Sequence, residues 1–208
     1  ALLDRGVPFA VETRYLTSAH IQPIIGYDAR RRTLLTRDPG QRLASEMMAA
    51  PLLEQMAAFG PRAMAIVPSD AAEKIAGLTL PDAELYDDLY EMQRALFKHD
   101  RAHAALVVER IAGKAPEHRL ALHARRTLAQ YDGDDVSSLA CIDAQLAKYP
   151  DNNTVLLGRL HALGNLGRFA ERLQGLEAIC DKLDCPPVFW RDLGRELSAD
   201  HRRLAEAR

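Results

Sequence analysis

The sequence predicts an α+β protein, an N-terminal antiparallel sheet with one helix followed by an all-α helical repeat array. Two observations carry this. Up to about residue 68, β-branched and aromatic residues gather in short runs separated by polar turns. From about residue 81, apolar residues return every three or four positions, and prolines and turn residues recur at a near-constant interval. With 208 residues, 48% hydrophobic and 27% charged, the chain is long enough for one large domain or two small ones and unlike a disordered or fibrous protein.

Taken in order, residues 8–16, 19–28 and 32–37 read as three consecutive strands joined by short loops. Residues 41–59 have the composition of a helix, with Leu43, Met47, Met48, Leu52, Leu53 and Met56 apolar, and Pro51 is expected to kink or divide it. Residues 63–68 read as a buried fourth strand, and 69–80 as a short helix or loop leading out of a first domain, 1–78.

The second domain, 81–208, is internally repetitive. Pro81, Pro116, Pro150 and Pro186 are separated by 35, 34 and 36 residues, and His99, Gly133 and Gly167 by 34 each. After each of these turns the same columns are apolar or small: Ala105, Leu139 and Leu173, then Val108, Ile142 and Leu176, then Ala112, Leu146 and Cys180. Spacings of three and four put each set on one helix face. Each unit is therefore a helix, a turn, a second helix and a closing proline, in the ranges 82–115, 117–149 and 151–185. Pro187 to about Leu197, with Phe189, Trp190 and Leu193, reads as a capping helix with a charged tail, because stacked repeats leave an apolar end to cover. The period, the small turn residue and the closing proline resemble the tetratricopeptide repeat. Gly167-Arg-Phe-Ala-Glu and the Tyr149-Pro-Asp-Asn-Asn153 boundary fit it well, whereas the first helix of the second unit departs from its pattern.

Charge and composition exclude several classes. Lys plus Arg (27) nearly balances Asp plus Glu (29), so the net charge of −2 offers no overall attraction to nucleic acid or anionic membrane. No apolar run approaches the roughly 18 residues of a membrane helix, and no signal-peptide pattern opens the chain. Three cysteines, Cys141, Cys180 and Cys185, fit reduced thiols in a cytoplasmic setting better than a disulfide framework. Arginine outnumbers lysine 22 to 5, a bias expected of a GC-rich bacterial source. His99 and His103 have i,i+4 spacing but bracket a turn and lack the Glu of a helical zinc motif, so they read as solvated turn residues. Arg30-Arg-Arg32 reads as a solvated hairpin tip, and no cofactor or metal is expected.

One arrangement in the first domain has chemical content. If residues 19–28 and 31–39 pair as a hairpin centred near residue 29, residue i faces 58−i and His20 lies opposite Asp38 to within about one position. Facing Cβ atoms are about 5 Å apart, within reach of an imidazole-to-carboxylate hydrogen bond. A His–Asp pair is the base-and-orienter half of a nucleophilic site. The series Gly6-Val-Pro-Phe-Ala-Val, then Ala19-His20 leading to Gly26-Tyr-Asp28, then Leu34-Leu-Thr-Arg-Asp-Pro39, resembles the C-terminal half of the bacteriocin-processing, double-glycine type of peptidase-like domain, which has the papain-like cysteine peptidase fold. The resemblance implies that His20 is the catalytic base and Asp38 orients it. It implies as well that the nucleophilic Cys and the oxyanion-hole Gln lie upstream of Ala1. Half of such a domain is expected to leave apolar sheet surface that either recruits a second copy through residues 8–68 or is covered by neighbouring helices.

Two functions follow as expectations. The first is a protein-interaction module, attached to this half-domain and non-catalytic in this chain, whose repeat groove holds a protein or peptide ligand through Arg94, Arg125, Arg126, Arg159 and Asn165. The arginine bias suits an acidic peptide or a terminal carboxylate. The second is the C-terminal part of an active cysteine peptidase in which His20 is general base and Asp38 the orienting carboxylate.

Overall fold

Among the described residues of the computed structural model, five strands are present: β1 (Phe9–Arg14), β2 (Ala19–Asp28), β3 (Thr33–Thr36), β4 (Ser45–Met48) and β5 (Arg62–Met64). They form one antiparallel sheet in the order β4-β3-β2-β1-β5. The structure describes residues 1–14, 16 and 18–206, with side chains for all of these except Arg14 and 201–206. Tyr15, at the end of the first expected strand, Thr17, expected as a loop hydroxyl near His20, and the last two residues of the charged tail lie outside the described residues.

The central hairpin forms, but with a register different from the one centred on residue 29. Asp28 pairs with Thr33, and beyond a bulge at Ile25 the pair is Ile24 with Thr36. The turn is longer than expected because the Asp28 carboxylate accepts a hydrogen bond from the Arg31 backbone N–H at 2.9 Å, while Arg32 adopts a left-handed φ of 57°.

The expected helix over 41–59 is in fact two elements. Ser45–Met48 alternates in burial and pairs with β3 as an edge strand, its Ser45 hydroxyl 2.7 Å from that of Thr36. Helix α1 (Ala49–Met56) starts only after it. Pro51 therefore sits in the first turn of a helix, as its third residue, where a missing N–H costs nothing and no kink follows. The expected buried strand at 63–68 is short and exposed. It occupies the outer edge beside β1, between Pro61 and Pro68, with Met64 60% and Ile66 80% exposed.

Helix α1 packs on β1 and β4. Val7, Val11, Ile24, Met56, Ala58 and Phe59 are buried there, while Ile21, Ile25 and Tyr27 of β2 remain exposed. Gly60 takes φ +100°, and a Cβ at this position would stand 1.9 Å from the Tyr86 hydroxyl, so the close approach of the chain to Tyr86 requires glycine. Arg62 pairs with Glu12 and hydrogen-bonds Gln93 at 2.9 Å each.

Among the described residues, seven helices follow: α2 (Ala83–Phe97), α3 (Arg101–Lys114), α4 (Arg119–Asp132), α5 (Asp135–Lys148), α6 (Asn153–Asn165), α7 (Phe169–Cys180) and α8 (Pro187–Glu206). The turns inside the pairs fall at His99, Gly133 and Gly167, with φ of 60°, 69° and 69°. Asp100 and Asp134 then cap the next helix, accepting from the His103 and Ser137 backbone N–H groups at 3.0 and 2.9 Å. Val108, Ile142 and Leu176, which share a repeat column, are all at most 3% exposed. Helix α8 begins with Pro187 at its first position and runs past Leu197 to Glu206, longer than the expected cap. The chain forms two compact units, Ala1–Ala124 and Arg125–Arg208. Among the described residues, no helix is long and apolar enough to cross a membrane.

Candidate functional site

His20 stands near the start of β2, and Asp38 follows the end of β3. The Arg37 N–H donates to the Pro23 carbonyl at 3.0 Å, which extends the β2–β3 ladder past its last paired residue. At that offset Asp38 is level with Gln22 and diagonal to His20. A diagonal pair is still within reach of a long side chain, and His20 Nε2 lies 2.6 Å from Asp38 Oδ2. The contact thus forms despite the different register.

Each oxygen of Asp38 is engaged. Oδ2 also accepts from Gln22 Nε2 at 3.2 Å, and Oδ1 accepts from the Gly40 backbone N–H at 2.8 Å. The Gly40 contact belongs to a tight turn in which the Gln41 N–H closes back on the Asp38 carbonyl at 3.0 Å, with Pro39 supplying the fixed φ. Gln22 is held in turn beside Thr13, whose hydroxyl donates to the His20 carbonyl at 3.0 Å. The Asp38 carboxyl is held below the usual carboxylate range, first by the Gly40 N–H, then by His20 and Gln22. Asp38 is nearly buried, whereas the His20 side chain is 46% exposed. An anionic acceptor at Nε2 fixes the neutral imidazole with its proton on Nε2 and leaves Nδ1 as the basic nitrogen. Among the described residues, Nδ1 has no hydrogen-bond partner. The arrangement is a carboxylate-oriented base open to solvent on one side.

The five residues expected in a repeat groove have different surroundings. Arg94, in the first unit, stacks its guanidinium 5.8 Å from the Tyr90 ring centre. It lines a cavity of about 260 Å³ with Tyr90, Glu91, Ala95, Lys98, Asp100 and His103, the Asp100 carboxylate being taken up by the His103 backbone N–H. Glu91 in that wall is occupied by Arg110 and His103 and is held below the usual range by them. Neither Arg94 nor Lys98 has a carboxylate partner among the described residues. In the second unit, Arg159 pairs with Asp143 at 2.8 Å and Asn165 donates to Asp135 at 3.1 Å. Arg126 donates to the buried Gln145 at 3.4 Å, and its guanidinium covers Gly158, where a Cβ would collide with it. Arg125 is half-buried on α4.

The cysteines lie on or beside the helices. Burial raises the Cys141 thiol, and the Cys180 thiol is pushed up to about 11. Among the described residues, no group of three His, Cys, Asp or Glu side chains is placed to hold a metal ion. The partners that sequence reasoning missed are Gln22, Gly40 and Lys98. Gln22 carries a readable signal: it is two residues from His20, hence on the same strand face, and it is the polar residue in an otherwise apolar run. Gly40 acts through its backbone and leaves no such sign. Compared with known proteins, the chain matches no family model, no curated protein and no solved structure.

Proposed function

We propose that the first unit carries the base half of a cysteine-peptidase-like site, with His20 as general base and Asp38 as the carboxylate that orients it. The observation that supports this is the 2.6 Å contact between Nε2 and a carboxylate whose oxygens are already anchored by Gln22 and Gly40. A base so oriented takes a proton at Nδ1 from a thiol and returns it to a leaving amine. The chain's helical cysteines are poor candidates for that thiol, because burial raises Cys141 and Cys180 where an activated nucleophile needs a lowered value. On this reading the nucleophilic thiol is not among these helical cysteines, and the 208 residues alone carry out no thiol-dependent peptide hydrolysis. The test supplies the nucleophile from solution. In the presence of 2-mercaptoethanol, the chain should accelerate cleavage of p-nitrophenyl acetate, and His20→Ala should lower the rate by about 10²-fold, in the range of general-base catalysis. Equal rates for wild type, His20→Ala and Asp38→Asn would sink the assignment.

The helix pairs favour a second role in the same protein, a tetratricopeptide-like interaction module for an acidic or carboxylate-ended peptide. Its support is the cavity at Arg94 and Lys98, two cations one helical turn apart without acidic partners among the described residues. A triglutamate peptide with a free C-terminus is expected to bind more tightly than its amide, and Arg94→Ala with Lys98→Ala should abolish the difference without changing the helical circular dichroism. Retained discrimination in the double variant would rule this role out.

A further inference from the structure

Two thiols face each other where the last repeat meets the final helix. Cys180 is the last residue of α7, and Cys185 lies two residues before α8 begins at Pro187. Their sulfurs are 3.6 Å apart, with the Cys185 thiol directed at Cys180 Sγ, and both are reduced. Cys180 is buried and Cys185 partly exposed. Burial, then the hydrogen bond from Cys185 and the proximity of its sulfur, keep Cys180 protonated. The two therefore differ in access while remaining in contact, the relation of a resolving thiol to an attacking one.

We infer that Cys180 and Cys185 form a reversible dithiol–disulfide site that joins the end of α7 to the start of α8. A disulfide has its sulfurs about 2.05 Å apart, so closure from 3.6 Å requires a movement of about 1.5 Å. The intervening residues 181–184 are turn and bend and do not belong to either helix, so side-chain rotation and a small loop adjustment suffice. The oxidant is a low-molecular-weight disulfide such as oxidised glutathione. Cys185, as thiolate, attacks one sulfur of the oxidant, forming a mixed disulfide and releasing one thiolate. Cys180 gives its proton to solvent and attacks the Cys185 sulfur, forming the internal bond and releasing the second thiolate. The pair loses two electrons and two protons, and the oxidant is reduced to two thiols. Helix α8 is already tied to α7 by Arg172, which pairs with Glu196 and approaches Asp192. The disulfide adds a covalent joint to that contact, with Trp190 in the first turns of α8 as its optical reporter.

The test uses the intact chain incubated with oxidised glutathione. The expected result is a loss of about 2 Da, a fall in titratable thiols from three to one, a proteolytic fragment joining Cys180 to Cys185, and full reversal by dithiothreitol. The Cys141→Ser variant should show the same loss of about 2 Da and retain no free thiol. Three thiols still titrating after oxidation, a glutathione adduct persisting on Cys185, or a bridge that includes Cys141 would each overturn the inference.

Discussion

Asp38 is the residue on which the candidate site turns, because its three hydrogen bonds leave the carboxylate one orientation. Its lowered native pKa has a definite sign in stability. The unfolded carboxyl titrates near about 3.9 and the native one lower, so the stabilisation is fully present above the unfolded value and is lost as the pH falls through the native one. Asp38→Asn should therefore lower the urea midpoint at pH 7, and the gap from wild type should close in acid; a gap independent of pH would contradict the assignment. Tyr86 offers the opposite kind of case. Among the described residues its buried hydroxyl has no hydrogen-bond partner, so Tyr86→Phe is expected to leave stability unchanged or raise it by about 1 kcal/mol in urea denaturation. The proximity of His20 and Asp38 was legible because two short strands and a turn leave few ways to separate them. The anchoring by Gly40 was not, since a backbone N–H has the same appearance at every position.

At the scale of elements, the helix pairs were legible through their turns. Gly133 has φ +69°, and a Cβ there would meet nothing within 4 Å. Gly133→Ala thus isolates the cost of the left-handed backbone, expected to be about 1 kcal/mol. Asp134→Ala removes the cap on Ser137 and should cost a similar amount, about 1 kcal/mol; thermal unfolding of the two variants checks both. Residues 45–48 show the limit of such reading. Their methionines suit a helix by composition, but β3 presents an unpaired edge and the segment is consumed in covering it. Pairing with a strand distant in sequence overrides a local preference, which a period of 3.6 cannot reveal.

For the whole molecule, the change from strand to helix near residue 81 was readable, but the compact units divide at 124/125. The contacts inside the first unit give a reason. Gly60 admits Tyr86, Arg62 reaches Gln93, and Phe59 meets His123 edge to face, so the sheet region shares one interior with α2 and the start of α4. These meetings depend on pairs far apart in sequence and have no periodic signature. Gly60→Ala should consequently destabilise the unit by more than about 2 kcal/mol, through both the positive φ and the collision with Tyr86, measured by urea denaturation; a smaller loss would mean that this approach relaxes easily. The repeat turns at 99, 133 and 167 keep a spacing of 34, whereas the prolines that close the units vary between 34 and 36. One residue added between a turn and its buried column would rotate that column by about 100° away from its neighbours, while one added beside a proline lengthens only a joint. The chain thus separates where it can change length from where it cannot, and insertions in its descendants belong at the prolines.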